Sequence, residues 1–198
     1  NQGNKVDIIK QNECPFCRAV APKSEKEMNS MLIKRSEAGD VIAIFNQGNY
    51  YRDGILGYPQ DYNKALELWQ RSGELGNVTA YSVIGSAYYL GIGVGVDKEK
   101  AIHYYELSAM GGNVRARHNL GDIEERAGNM DRATKHHMIA VRGGNTKSLK
   151  QIRILYTNGH ATKEYYMEAL QSYQTYLGEI KSVQRDKAAA ADESYQYY

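Results

Sequence analysis

The 198-residue sequence is poor in cysteine, proline, phenylalanine and tryptophan. It contains two cysteines, three prolines, two phenylalanines and one tryptophan. Two cysteines exclude a disulfide framework and indicate a reducing compartment, so we expect an intracellular, cytoplasmic protein. The net charge is only +2, and this near balance argues against nucleic acid as a partner.

Long apolar runs are absent as well. No run approaches the roughly 20 residues that cross a bilayer, and the first residues show no signal-peptide pattern, so we expect no membrane partner. Apolar residues still make up 42% of the chain, which is enough for a folded core. Because the sequence begins with Asn1 instead of methionine, we expect it to be part of a longer protein.

Tyrosine is the abundant aromatic residue, with 17 copies, and it belongs to an internal repeat. Small residues, glycines and aromatic residues recur together about four times along the chain, which is typical of a helical repeat array. The aligned positions are Ala43, Ala80, Ala116 and Ser148; Gly48, Gly85, Gly121 and Arg153; Ala65, Ala101, Ala133 and Ala169; and Trp69, Tyr105, His137 and Tyr173.

The spacing inside each unit predicts two helices. Ala43, Gly48 and Tyr51 fall near one face of a helix, as do Ala65 and Trp69. Small residues let the paired helices approach closely, and the aromatic residue fills the space beside them. The predicted N-caps of the second helices are Asp61, Asp97 and Asn129.

We therefore predict an all-α fold, a right-handed α-solenoid of about four helix–turn–helix repeats with capping helices at both ends. Gly39, Gly76, Gly112 and Gly144 are predicted to separate the units. The predicted segments are a leader (1–23), an N-terminal capping helix (24–38), four repeats (39–75, 76–112, 113–144 and 145–178), and a C-terminal helix and tail (179–198).

The repeat resembles the Sel-1-like repeat, a relative of the tetratricopeptide repeat. The second unit carries the pattern in Ala80, Gly85, Tyr88, Gly91, Gly93, Val94, Asp97, Lys100, Ala101 and Tyr105. The third unit departs from it with Glu124 and Ala127, and the fourth with Arg153. The resemblance implies an adaptor that scaffolds protein complexes by binding a protein or peptide.

Both cysteines lie in the segment Cys14-Pro15-Phe16-Cys17-Arg18. This segment resembles the closing segment of a RING finger, the zinc module of many ubiquitin ligases. Cys14 and Cys17 stand at the Cys-x-x-Cys spacing that suits tetrahedral zinc. By resemblance, Pro15 would meet a ubiquitin-conjugating enzyme and Arg18 would contact ubiquitin. A zinc site needs two more ligands, and residues 1–13 contain neither cysteine nor histidine. The repeats are therefore expected to need no cofactor, and by this resemblance the full-length protein would bind the zinc. An unrelated leader is the alternative.

Other chemical motifs have simpler interpretations. His136 and His137 are adjacent and diverge by about 100° around a helix axis, so we predict no metal site among the histidines. The Gly-x-Gly-x-Gly segment at 91–95 has no preceding strand and is interpreted as a turn, not a phosphate loop. Glu124 and Glu125 have no neighbouring nucleophile or base, and we predict that this chain is not an enzyme.

Candidate contact positions follow from the resemblance to tetratricopeptide stacks, in which the first helix of each pair lines the concave face. These positions vary between units while the small and aromatic residues repeat, although a merely solvated surface would vary too. The predicted partner-binding residues are Asn49, Arg52, Ser86, Tyr89, His118, Asp122, Glu125 and Lys150.

Two functions remain open at this point. The first is a non-enzymatic scaffold that presents a helical groove to a protein or peptide. The second is the substrate-recruiting part of a RING-type ubiquitin ligase whose zinc module lies mostly outside this fragment. The sequence upstream of Asn1 would separate them.

Overall fold

The computed structural model describes residues 24–180, and every regular element within them is an α-helix. This confirms the predicted all-helical class. The helices are α1 (Glu25–Glu37), α2 (Val41–Asp53), α3 (Tyr62–Glu74), α4 (Val78–Leu90), α5 (Lys98–Met110), α6 (Val114–Arg126), α7 (Met130–Arg142), α8 (Thr146–Thr157) and α9 (Lys163–Ile180). In this part of the chain no helix has the length and apolar character needed to span a membrane.

The chain divides into two compact units after Asn77, and the described parts are 24–77 and 78–180. The first contains α1, α2 and α3, with α2 packed against both of the others. The second contains α4 to α9, in which α4 pairs with α5, α6 with α7, and α8 and α9 with each other and with α7. The helix pairs inside each unit are those that the repeat predicts.

Most of the helices begin with a side-chain N-cap, and two of these caps are residues that the sequence predicts. The carboxylates of Asp61 and Asp97 each accept a hydrogen bond of 2.9 Å from a backbone N–H three residues later. Asn129 occupies the N-cap position of α7, as predicted, but its side chain makes no capping bond. Its amide nitrogen donates to the Glu124 carboxylate at 2.7 Å.

Left-handed glycines end the second helices, as the Gly-Asn pairs predict. Gly76 has a φ of +102° and Gly112 a φ of +88°, a conformation that side chains disfavour. The N–H of the next residue then turns back to the helix, from Asn77 to the Ser72 carbonyl at 3.0 Å and from Asn113 to the Ser108 carbonyl at 3.1 Å. These bonds satisfy carbonyl groups that a helix end would otherwise leave open.

In two of the helix pairs, one buried serine bonds the second helix to the first. The Ser72 hydroxyl on α3 donates to the Val41 carbonyl at the start of α2, at 2.9 Å. The Ser108 hydroxyl on α5 donates in the same way to the Val78 carbonyl at the start of α4, at 2.6 Å. Both serines are fully buried. Each bond pairs a polar group that would otherwise be costly to bury.

The 78–180 unit has two apolar clusters. One lies between α5 and α6 and is formed by Ala101, Tyr105, Ala109, Ala116 and Leu120. The other joins α7, α8 and α9 through Met138, Val141, Ile152 and Ala169. The first cluster positions α6, and Tyr88 and Tyr89 of α4 pack against it.

The fourth repeat differs from the sequence pattern. Arg153 stands where the earlier units have glycine, and its side chain is exposed while Ile152 and Leu155 fill the core. Turning the arginine outward leaves α8 packed without a close-approach glycine. Helix α9 continues through Gly178 to Ile180. The terminal helix predicted after that point lies outside the described residues.

Candidate functional site

In three of the helix pairs, an aromatic ring on the second helix packs against a glycine on the first helix. The rings of Trp69, Tyr105 and His137 lie over Gly48, Gly85 and Gly121 respectively. A Cβ at these glycines would come within 2.7, 2.8 and 2.6 Å of the ring atoms. Any larger side chain at these glycines would therefore clash with the ring, as the repeat predicts.

The residue after each glycine faces the polar atom of the ring. Trp69 Nε1 donates to Asn49 Oδ1 at 3.2 Å, and the Tyr105 hydroxyl donates to Ser86 Oγ at 3.0 Å. The Ser86 hydroxyl in turn donates to the Ser82 carbonyl oxygen at 3.0 Å. Two of the predicted contact residues thus satisfy buried rings within their own helix pair, and a role for them in partner binding stays a prediction.

In the third helix pair, the corresponding hydrogen bond between the ring and the residue after the glycine is absent. His137 Nε2 lies 3.7 Å from Asp122 Oδ1, which is too long for a hydrogen bond. The His137 side chain is fully buried, and its Nε2 has no hydrogen-bond partner within residues 24–180. Its other ring nitrogen, Nδ1, lies 3.2 Å from Ser148 Oγ. Burial, together with the neighbouring His118 and His136, lowers the pKa of His137 to about 4.

His118 lies beside this ring and shares its partners. His118 Nδ1 is 3.0 Å from Ser148 Oγ, and His118 Nε2 is 3.5 Å from Asp122 Oδ2. Burial lowers the pKa of His118, although the Asp122 carboxylate opposes the shift. We call His118, Asp122, His137 and Ser148 the histidine cluster. The fold joins histidines from α6 and α7 that the sequence spacing did not connect, while the prediction of no metal site among the histidines stays a prediction.

The histidine cluster places a serine, a histidine and a carboxylate beside one another, and these are the residue types of a hydrolase triad. A nucleophilic serine must reach its substrate. Ser148 is fully buried, and its hydroxyl is held between two imidazoles. The arrangement therefore does not fit nucleophilic catalysis.

A groove opens on the surface of the 78–180 unit, between α4 and α6. Its volume is about 210 Å³, below the 300–1,000 Å³ that is usual for small-molecule sites. We call it the Tyr89 groove. It is lined by Ser86, Tyr89, Leu90, Tyr105, Asn119, Asp122, Ile123 and Arg126. A space of this size fits one side chain of a bound peptide.

The Tyr89 ring is held in place from two sides. The Arg126 guanidinium donates to the Tyr89 hydroxyl at 2.7 Å. The Lys98 ammonium lies 3.4 Å from the ring centroid, and it also donates to the Tyr89 carbonyl at 3.1 Å. These contacts order a half-buried ring, so little rotamer entropy remains to be lost when a partner binds.

The remaining predicted contact residues lie in separate surroundings. Arg52, in the 24–77 unit, binds Asp53 through two bonds of 2.7 Å, and this pairing lowers the pKa of Asp53. Glu125 accepts a bond of 2.6 Å from the Gln151 amide, and Lys150 is exposed on α8. The structure therefore brings Ser86, Tyr89 and Asp122 into one groove. Cys14 and Cys17 lie outside the described residues.

Sequence reasoning missed several members of these sites. His137 could have been found, because it aligns with Trp69 and Tyr105 and so had to face Gly121 and the next residue, Asp122. Arg126 had no such signal, since it precedes a turn whose length varies between units. Ser148 was assigned only as a packing position, although its hydroxyl joins the two histidines.

Comparisons with known proteins bear out the repeat. The Sel1 repeat model matches residues 41–77 and 79–113. A crystal structure of a Sel1 repeat protein from Oxalobacter formigenes is 27% identical with a TM-score of 0.68, covering 83% of this chain and 68% of that one. The protective antigen c5321 of uropathogenic Escherichia coli, with an SLR fold, is 22% identical with a TM-score of 0.66, covering 84% and 37%. The second likeness shows the fold alone.

Two curated proteins are also similar in sequence. The ERAD-associated E3 ubiquitin-protein ligase component HRD3B of Arabidopsis thaliana is 36% identical over 75 residues, which are 36% of this chain and 12% of that protein. Chitin synthase regulatory factor 4 of Schizosaccharomyces pombe is 25% identical over 152 residues, 76% of this chain and 23% of that protein. The chain thus matches less than a quarter of the length of either relative.

Proposed function

We propose that this chain, which contains Sel1 repeats, is a non-enzymatic adaptor that binds an extended segment of a partner protein in the Tyr89 groove. The observation that carries the proposal is the ordered Tyr89 ring, fixed by Arg126 and Lys98 beside a groove of side-chain size. Tyrosine and arginine are the residue types that most often dominate binding energy at protein interfaces.

The groove offers the mixture of groups that a peptide needs. Leu90 and Ile123 supply apolar surface for a side chain. Asn119 and Asp122 supply acceptors for peptide N–H groups, and Arg126 supplies a donor for a peptide carbonyl. The two relatives support the proposal, because one is named as a component of a larger enzyme and the other as a regulatory factor.

Peptides selected against the chain from a random display library test the groove. Replacing Tyr89 by alanine is expected to weaken the selected peptides at least about tenfold, because truncation of a hot-spot tyrosine costs about 2 kcal/mol or more and each 1.4 kcal/mol is about tenfold. Isothermal titration of purified peptides measures this loss. Lys135→Ala, at an exposed position on α7, is the control and should leave affinity unchanged.

The same titrations can contradict the proposal. If the selected peptides bind Tyr89→Ala and Arg126→Ala as tightly as the unaltered chain, the groove is not the binding site. Circular dichroism of both variants checks that α4 and α6 remain folded, so that a lost interaction is not confused with unfolding.

The ligase alternative rests on Cys14-Pro15-Phe16-Cys17-Arg18 and on the name of the Arabidopsis relative. It predicts that the complete protein carries further zinc-ligand pairs before Asn1 and transfers ubiquitin in the presence of a conjugating enzyme. Arg18→Ala is then expected to abolish the transfer, which a gel-based ubiquitination assay measures. A complete protein without such pairs, inert with conjugating enzymes, would refute this alternative and leave the adaptor.

A further inference from the structure

Three potential metal ligands converge inside the 78–180 unit. His118 and Asp122 are one turn apart on α6, and His137 faces them from α7. One ligand atom from each lies within 4.8 Å of the other two. Asp122 is central, with its carboxylate oxygens 3.5 Å from His118 Nε2 and 3.7 Å from His137 Nε2.

The state of His137 is an independent sign that this cluster takes a ligand. The ring is fully buried, yet its Nε2 has no hydrogen-bond partner among the described residues. A buried polar atom without a partner is costly and uncommon in folded proteins. This nitrogen points toward the oxygens of Asp122 and Glu125, the latter at 3.9 Å. A bound cation between them would satisfy it.

Ser148 sets the two imidazoles in the orientation that a cation requires. Its oxygen lies 3.0 Å from His118 Nδ1 and 3.2 Å from His137 Nδ1. When both Nδ1 atoms carry their proton, the serine oxygen accepts from each, and both Nε2 atoms keep a free lone pair. Metal-binding histidines are usually anchored through the second ring nitrogen in this way.

The histidine cluster is accessible from the surface through two of its members. The Asp122 side chain is 38% exposed and His118 is 14% exposed, so a solvated ion can reach the cluster from the surface.

We infer that His118, Asp122 and His137 bind a divalent transition-metal ion of the zinc type, with Glu125 near enough to complete the site. Two imidazole nitrogens with carboxylate oxygens favour zinc over calcium and magnesium, which prefer oxygen alone. Zinc bonds of about 2.0–2.2 Å place neighbouring ligands about 3.4 Å apart in a tetrahedron. The distances of 3.5 and 3.7 Å to Asp122 are close to that spacing.

The test titrates zinc into the full chain with Cys14→Ser and Cys17→Ser, so that the N-terminal thiols do not contribute. We expect one equivalent of zinc by isothermal titration at pH 7.5. Cobalt(II) in place of zinc should give the visible absorption of a four-coordinate site. Neither signal depends on the partner-binding function.

Two ligand variants decide whether the metal sits in this cluster. His118→Gln and Asp122→Asn should each weaken zinc at least about tenfold, since even the loss of an anchoring group outside the ligand shell costs about 10–100-fold. His118 and Asp122 are chosen because the fully buried His137 is also needed for packing against Gly121. His160→Gln, an exposed histidine, is the matched control and should bind zinc normally.

Three results would overturn the inference. They are the absence of zinc binding, a cobalt spectrum of hexa-aqua type, and binding that survives both His118→Gln and Asp122→Asn. Circular dichroism of the two variants verifies their fold, so that a loss of binding reports on the ligands. If zinc does not bind, a water molecule between His137 Nε2 and Asp122 is the remaining explanation of the orphaned nitrogen.

Discussion

Replacing Trp69 by alanine is expected to destabilise the 24–77 unit by about 3–5 kcal/mol. The indole is 2% exposed and is the largest fully buried side chain among the described residues. Its removal leaves a cavity over Gly48, and α2 and α3 cannot close that space without moving their backbones. It also removes the donor that satisfies Asn49 Oδ1.

Denaturant unfolding followed by circular dichroism measures this loss. Fluorescence is unsuitable, because Trp69 is the only tryptophan in the chain. Arg71→Ala is the control, at an exposed position two residues later on α3, and it should change the free energy of unfolding by less than about 0.5 kcal/mol. Equal effects of the two variants would show that the ring does not hold the helix pair together.

A valine at Gly85 is expected to destabilise the 78–180 unit by about 1–3 kcal/mol. The first added carbon alone would lie 2.8 Å from Tyr105 Cδ1 and 3.2 Å from the Ala101 carbonyl oxygen. The second of these atoms is backbone, so α4 and α5 must move apart. That movement would strain the hydrogen bond between Tyr105 and Ser86.

Gly178 provides a matched control for this experiment. It also lies in a helix, but a Cβ there would meet nothing within 4 Å. Gly178→Val should therefore be nearly neutral, since valine and glycine differ by only a few tenths of a kcal/mol in helix propensity. Thermal and denaturant unfolding of both variants compare the two positions. Similar losses would mean that helix propensity, and not close approach, accounts for Gly85.

The fold was predictable because the same residue types recur at aligned positions in successive units. Gly48, Gly85 and Gly121 align with one another, and so do Trp69, Tyr105 and His137. Each aligned set has one physical explanation, a ring that packs on a helix without a side chain. Where a unit breaks the pattern the prediction was weaker, as at Asn129, which is the N-cap residue of α7 but makes no side-chain capping bond, and at Arg153, whose side chain is exposed.

The sites were less predictable, because they depend on where side chains from different repeats meet. Tyr89 and Arg126 are 37 residues apart and bond through their side-chain tips. Repeat alignment gives the helix face of each residue but not the reach of a guanidinium. The prediction of no metal site among the histidines has the same weakness. It compared histidines along one helix, whereas His118 and His137 lie on two helices with their ring centroids 5.4 Å apart.

The polar bond at each ring has a consequence for how such arrays change in length. Asn49 with Trp69, and Ser86 with Tyr105, each belong to one hairpin, so a duplicated or deleted hairpin gains or loses donor and acceptor together. Unequal recombination between the repeats in the gene can thus add or remove hairpins without leaving a buried polar atom unpaired. The third hairpin departs from this pattern. Nδ1 of His137 lies 3.2 Å from Ser148 Oγ of the next helix pair, so a copy of the third hairpin alone would leave this partner behind.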